Sequence, residues 1–151
     1  MASTITAQTL TVTISEQIVL NNQPINSENQ LTIPSIGQID KRIVSIPTAS
    51  EVTVLNFGTA VAAGTVVRAN VKYIRITNKD STNYVRIRVK KTGADTFDVK
   101  VDAGQSFIMS NASESVSATA ASFSAFVDAD SINAQANTAA VDIEIFVASI
   151  N

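Results

Sequence analysis

Apolar and polar residues alternate at both ends of the chain. Leu10, Val12 and Ile14 are separated by threonines, and a similar alternation runs through Val141–Val147. A period of two predicts strands with one buried face. The same period and a wealth of β-branched residues predict further strands between them. These are Arg42–Ile46, Val52–Phe57, Val66–Thr77, Tyr84–Lys90, Thr96–Val101 and Ser106–Met109, with weaker candidates at Ser113–Thr119, Ala121–Val127 and Ser131–Ala136.

Short polar segments separate the predicted strands. Asn78–Asn83, Thr92–Asp95 and Asp102–Gln105 are rich in residues that favour turns, which makes Val71–Met109 a predicted meander of four strands. Many short strands with frequent turns indicate a sandwich or a barrel. We therefore expect an all-β fold with little or no helix: a single β-sandwich domain over residues 1–151, jelly-roll-like with Greek-key connectivity.

Two segments fall outside the alternation. Residues 21–37 contain two of the three prolines and few periodic apolar residues, so we expect a long loop there. Residues 1–8 precede the first strand and are expected to form an N-terminal arm.

Charge and composition narrow the function classes. The net charge is −2, which gives no overall attraction to nucleic acid or to an anionic membrane. All Lys and Arg residues lie between Lys41 and Lys100, so the two flanking segments carry acidic charge alone. No signal peptide or long apolar run is evident, and we expect a protein made in the cytoplasm without an encoded export route.

Missing residue types limit the chemistry further. The chain has no His and no Cys, which excludes a Ser-His-Asp triad, a Cys nucleophile and a His/Cys zinc site. Two carboxylate pairs remain, Asp128 with Asp130 and Asp142 with Glu144, and each suits a solvent-facing strand better than glycoside hydrolysis. Calcium at Asp128/Asp130 or at Asp80/Asn83 lacks the EF-hand spacing. We expect no enzyme activity, no cofactor, no metal and no small-molecule substrate.

One strand carries a basic stripe. The stripe consists of Tyr84, Arg86, Arg88 and Lys90. These residues alternate with Val85, Ile87 and Val89, which are expected to face the core. It is either neutralised by Asp98, Lys100 and Asp102 across a hairpin or used for docking a partner. Nucleic-acid binding is a weaker alternative, because clustered aromatic residues are missing.

Tyr73 and Arg75 lie on a strand with no cleanly apolar face, since the opposite face carries Lys72 as well as Ile74 and Ile76. Phe146 similarly points away from Ile145. Such strands are common where a second subunit covers the outer face, so we expect an oligomer and count Tyr73 and Arg75 as candidate partner-binding residues.

From about Lys72 onward the chain resembles small virion proteins of tailed, cyanophage-like bacteriophages. The resemblance rests on Tyr73–Asn78, Asp80–Val85, Asp95–Asp98, Ala103–Phe107, Ala134–Ala136 and Val141–Val147. It is strongest to capsid decoration (cement) proteins. It implies a small β-sandwich that sits as a homotrimer on the capsid surface and binds the major capsid protein, with no active-site residues.

An arm could support that role. The segment Ser3–Leu20 is free of Lys and Arg and rich in β-formers, so it could add a strand to an exposed capsid edge, with Ser3, Thr4 and Ile5 as candidate contacts. The alternatives are a tail or fibre component with a host-glycan-binding head, for which the chain has no Trp and two Tyr, and a two-carboxylate glycan hydrolase.

Overall fold

The computed structural model describes residues 4–91, 93, 96–110 and 129–151, and its strands form two five-stranded sheets. The strands are β1 (Gln8–Leu20), β2 (Gln23–Ile46), β3 (Val52–Gly58), β4 (Thr65–Val67), β5 (Val71–Asn78), β6 (Val85–Lys90), β7 (Thr96–Val101), β8 (Ser106–Met109), β9 (Ser131–Ala136) and β10 (Val141–Ile150).

The strand order defines the topology. Sheet A has the order β1-β2-β10-β5-β8, and sheet B has the order β4-β3-β9-β6-β7. The β6–β7 hairpin is nested inside the β5–β8 pair, and the chain changes sheet from β2 to β3 and from β9 to β10. This nesting of antiparallel pairs across two sheets is the jelly-roll arrangement. The predicted all-β, jelly-roll-like sandwich is thereby confirmed.

Aliphatic side chains fill the space between the sheets. Ile74, Ile76, Ile143 and Ile145 of sheet A are completely buried, as are Leu55, Ile87, Val89 and Ile132 of sheet B. They alternate with half-buried or exposed neighbours along most of their strands, as the period of two predicts. The core-facing set Val85, Ile87 and Val89 is confirmed.

Two predictions about the middle of the chain are wrong. Val66–Thr77 is not one strand: β4 pairs with β3 in sheet B, a 3-10 turn follows at Arg68–Asn70, and β5 then belongs to sheet A. Val71–Met109 is likewise not a meander, because β5 and β8 pair in sheet A while β6 and β7 pair in sheet B. Turn residues mark where strands end but not which sheet the next strand enters.

The long loop predicted for residues 21–37 is also wrong, because β2 begins at Gln23 and runs through this whole segment. Asn21 and Asn22 have φ values of 51° and 64°, which is the backbone of a two-residue type I′ hairpin turn. Pro24 directly follows the start of β2, next to this turn, and Pro34 lies at an irregular step in the β1–β2 pairing. Proline is tolerated at edges and bulges of this kind.

Some predictions fall outside the described residues. The weak strands at Ser113–Thr119 and Ala121–Val127 lie there, as do residues 1–3 of the expected arm. Residues 4–7 are exposed and lie in no strand, and Gln8 already belongs to β1. Within the described ranges, no helix has the length and apolar character needed to cross a bilayer.

Candidate functional site

The β1–β2 hairpin leaves sheet A at a bend. Gln8 pairs with Ile36 while Leu10 pairs with Ile33, so β2 carries an extra residue at this point, and Ser35 has a φ of 63°. A second irregularity follows at once, since Ser149 pairs with Gln38 but Ile150 pairs with Ile36. Bulges bend and twist the strand that carries them. We call the hairpin beyond this bend, residues 9–35, the ribbon.

The first part of the ribbon folds over the outer face of sheet A. Leu10, Val12, Leu31 and Ile33 pack in a second hydrophobic cluster with side chains of β5 and β10. That cluster also contains Ile36, Tyr73, Phe146, Ala148 and Ile150. The Tyr73 and Phe146 rings meet edge to face, with centroids 6.0 Å apart. Burial raises the pKa of Tyr73 above its ordinary value.

This cluster corrects the expectation drawn from Tyr73 and Phe146. Tyr73 is 4% exposed, and the chain's own ribbon covers it. The same surface depression that is lined by Val12 and Ile14 is also lined by Ile108 of β8. The ribbon therefore crosses sheet A from β2 towards the β8 edge.

Past Ile14 the ribbon is exposed on both faces. Residues 15–28 are all exposed, and we call this part, together with Ile14, the ribbon tip. Ile14, Glu16, Ile18 and Leu20 share the face that carries Leu10 and Val12, because residues two apart on a strand point the same way. Ile25 joins them, since it is paired with Ile18 across the hairpin.

The exposure of this face is high for large aliphatic residues. Ile14, Ile18, Leu20 and Ile25 are between 46% and 55% exposed. The opposite face is mostly Thr, Ser, Gln and Asn, with Glu28 and the 67% exposed Val19 among them. The ribbon tip is thus a two-faced hairpin whose apolar face continues a buried surface into solvent, and such patches mark interaction sites.

A second exposed apolar patch lies on β2 within sheet A. Ile39 and Ile43 are 56% and 64% exposed, and they flank Lys41, whose side chain is 59% exposed. Ile39 is paired with Ala148 and Lys41 with Phe146, which places all three on the outer face. We call Ile39, Lys41 and Ile43 the β2 patch.

The residues beside the β2 patch form an ion-pair row. Arg75 lies 2.6 Å from one oxygen of Glu144, and Lys41 lies 3.6 Å from the other. The hydrogen bond from Arg75 holds the pKa of Glu144 below its ordinary value against the effect of burial. Arg75, a predicted partner-binding residue, is therefore paired within the chain, whereas Lys41 is held more loosely.

The predicted basic stripe lies on the outer face of sheet B in an ion-pair network. Glu51, just before β3, lies 3.0 Å from Arg86, 3.2 Å from Arg88 and 3.4 Å from Lys90. Arg88 also makes two hydrogen bonds to Asp98, of 2.6 and 2.7 Å. The stripe is thus self-neutralised, one of the two arrangements that the sequence left open.

The pKa values in this network follow from the contacts. Burial works against ionisation of Glu51, but the hydrogen bond from Asn133 and the charges of Arg88 and Lys90 outweigh it, so its pKa lies below the ordinary value. The hydrogen bond from Arg88 lowers the pKa of Asp98, and the reciprocal bond raises the pKa of Arg88.

Tyr84 stands at the end of the same stripe. It is 37% exposed, and the Lys100 ammonium lies 4.8 Å from the centre of its ring. Lys100 in turn bonds Asp102 at 2.7 Å, which raises the pKa of Lys100.

Of the proposed arm contacts, Thr4 and Ile5 are exposed, and Ser3 lies outside the described residues.

The described carboxylates that were considered for catalysis or for calcium binding are exposed, or they form ion pairs or hydrogen bonds within the chain. Asp142 is exposed and Glu144 serves the ion-pair row. Asp80 accepts hydrogen bonds from the backbone of Thr82 and Asn83 at 2.7 and 2.6 Å, which lowers its pKa and closes the loop. Asp130 pairs with Arg68 at 2.6 Å, and Asp128 lies outside the described residues. The described residues contain no acidic, His or Cys group suited to a metal.

Sequence reasoning missed the two surfaces that stand out in the structure. Ile18 and Ile25 lay in or beside the expected loop, although Ile25, Leu31 and Ile33 keep the period of two. The β2 patch was missed because Ile39 and Ile43 lie on a strand that also carries buried residues, and the sequence does not show which apolar residues of that strand face solvent. Glu51 was missed because only the fold brings it to β6, from a position before β3.

No protein-family model matches the chain, and no curated protein matches it. Among solved structures it is similar to a chain from Bacillus endospore appendages, described as a novel family of disulfide-linked pili. The identity is 13%, the TM-score is 0.40, and the match covers 76% of this chain and 88% of that one. So distant a likeness carries no functional argument.

Proposed function

We propose that this chain is a non-enzymatic structural protein of a tailed-bacteriophage virion, and specifically a capsid decoration protein. In this role copies of the chain associate as a homotrimer on the capsid surface and bind the major capsid protein, without nucleic acid, membrane or cofactor. The proposal starts from the sequence resemblance, which covers about half of the chain.

The ribbon tip is the observation that carries it. A two-stranded hairpin projects from a rigid sandwich and presents Ile14, Ile18, Leu20 and Ile25 to solvent. Residues 15–28 form six residues on each strand around a two-residue turn, a length of roughly 20 Å. A protein that stabilises a shell needs such an element, because it must reach across subunit borders and bury apolar area there.

The body suits the same task. Its core is filled by aliphatic side chains, and the charged side chains of β6 are neutralised by Glu51 and Asp98. A rigid body with satisfied charges can transmit load without rearranging, and symmetric copies around a three-fold axis would close on themselves.

Immunogold labelling of purified virions with antibody to this chain tests the proposal. Gold distributed over the head is expected, with pre-immune serum as the control. Gold confined to the tail or fibres would overturn the decoration role in favour of the tail alternative. Unlabelled virions, with the chain also missing from their protein composition, would overturn any virion role.

A further inference from the structure

Two exposed patches of this chain have matching patterns of opposite charge. On the ribbon tip, Ile14 and Ile18 flank Glu16; on the β2 patch, Ile39 and Ile43 flank Lys41. Each pattern spans four residue steps along a strand, about 13 Å. The ribbon tip thus carries two apolar side chains around an anion, and the β2 patch carries two apolar side chains around a cation.

We propose that the ribbon tip of one copy docks on the β2 patch of a second copy. The inference rests on the self-association included in the proposed function, and it names the surfaces that meet. Docking brings the Glu16 carboxylate next to the Lys41 ammonium and removes the flanking isoleucines from water. Because the charge is central in both patterns, the two strands can meet in either direction.

Lys41 is available for this contact. Its side chain is 59% exposed, and its intrachain partner Glu144 is held more closely by Arg75, at 2.6 Å against 3.6 Å for Lys41. Lys41 can therefore turn towards an incoming carboxylate while Glu144 stays paired. On the other side, Glu16 lies among exposed side chains of the ribbon tip.

The path of the ribbon makes the contact intermolecular. The ribbon leaves sheet A at β2 and crosses towards β8, where Ile14 lies beside Ile108. The β2 patch is on the opposite side of the same sheet face, since β10 and β5 lie between β2 and β8. A chain's own tip points away from its own patch, so the occupant is another copy.

The interface joins two different surfaces and is therefore heterologous. Repeating it gives each copy one donated tip and one occupied patch, and the series closes into a ring if the rotation allows. Three copies around a three-fold axis would satisfy every tip and every patch.

A charge swap tests the pairing in solution, with purified chain and no virions. Glu16→Lys and Lys41→Glu each place like charges together and should weaken association about tenfold or more, whereas the double variant should recover it. Glu28→Lys makes the same charge change on the opposite face of the hairpin and is the matched control. Mass by light scattering over a concentration series is the measurement, with unfolding midpoints to check that each variant folds.

Cross-linking then locates the contact. The chain has no Cys, so single substitutions give a clean background. Chains with Glu16→Cys mixed with chains with Lys41→Cys should form a mixed disulfide dimer on oxidation, and Glu28→Cys mixed with Lys41→Cys should not.

The proposal is overturned if the mass is insensitive to Glu16→Lys, if the double variant stays dissociated, or if Glu16→Cys chains cross-link mainly to each other. Failure here with gold still on the head would remove these surfaces and leave the decoration role intact. The reverse pattern, pairing in solution with unlabelled virions, would remove the virion role alone.

Discussion

The sandwich and the ribbon share an alternating sequence pattern, but the apolar residues of this pattern are buried in the sandwich core and exposed in the ribbon tip. In the sandwich, Ile143 and Ile145 of β10 are fully buried between the sheets. In the ribbon, Ile14 and Ile18 of β1 follow the same period of two, four residues apart, and are about half exposed. The two sheets of the sandwich cover each other's inner apolar faces, whereas the ribbon tip presents an apolar face that no described residue covers.

The change happens within a single strand. Leu10 and Val12 pack against Tyr73 and Phe146, and two residues later Ile14 is 46% exposed. Alternation therefore predicts that a face is meant to be covered, and the fold decides what covers it. Where the chain provides no cover, an intermolecular partner is the physical expectation.

The largest difference between the regions concerns truncation of an isoleucine. Ile145→Ala leaves a cavity in the core and should lower the free energy of unfolding by about 2–5 kcal/mol. Ile18→Ala, the same substitution at the ribbon tip, should stay within about 0.5 kcal/mol. Denaturant unfolding of both variants at low protein concentration measures the difference; equal losses would mean that the ribbon tip is as tightly packed as the core.

A buried polar residue gives the next largest effect. Asn78 is completely buried, donates to the carbonyls of Asn83 and Val101 at 2.8 and 3.1 Å, and accepts from the Asp80 amide. Asn78→Ala leaves these groups without this partner and should cost about 2 kcal/mol. Asn137→Ala at an exposed site is the control, and thermal unfolding should separate the two clearly.

The ion-pair network on sheet B should make stability depend on pH. The pKa of Glu51 is lowered in the folded chain, so its contribution is present above its ordinary value of 4.5 and is lost as pH falls through the folded pKa. Glu51→Gln should cost about 1–2 kcal/mol at pH 7.

That cost should shrink as the pH falls below 4.5, because Glu51 of the unmutated chain is then protonated first in the unfolded state and, at lower pH, in the folded state. Asp142→Asn, at an exposed carboxylate, is the control, and urea unfolding between pH 7 and pH 3 gives the difference. A cost that stayed constant with pH would show that the charge of Glu51 contributes nothing.

The smallest effect concerns the ribbon turn. Asn22 has a φ of 64°, which glycine adopts more readily than any other residue, so Asn22→Gly should stabilise the hairpin by up to about 0.5 kcal/mol. Asn22→Val should loosen it, because a β-branched residue is strained there. Amide hydrogen exchange across the ribbon measures both; unchanged protection in the two variants would argue against a type I′ turn.

Most of the sandwich could be predicted from the sequence, because most of its strands have their own alternating pattern. The runs Thr96–Val101, Ser106–Met109 and Ser131–Ala136 match the observed strands residue for residue. Sheet membership could not be predicted, since β5 and β8 meet only after the chain has passed through sheet B and returned. That pairing depends on packing across the whole domain.

The candidate site was less accessible to prediction. The basic stripe was found, but its neutralisation depends on Glu51, which lies 35 positions before Arg86 along the chain. The ribbon was hidden by Pro24 and Pro34, which usually signal loops, and by an Asn-Asn turn where Asn-Gly is the stronger signal. The exposure of its apolar face is a property of the path of the chain.

The role of the ribbon tip is tested most directly by shortening it. Deleting residues 15–20 and 23–28 removes six cross-strand pairs, keeps the Asn21-Asn22 turn and leaves Ile14 opposite Asn29. The mass of the intact and shortened chains by light scattering should then differ: a multiple of 15.9 kDa, three-fold for a closed ring, for the intact chain, and a folded monomer for the shortened one. An intact chain that stays monomeric at high concentration, or a shortened chain that keeps the assembled mass, would contradict the assembly role of the ribbon.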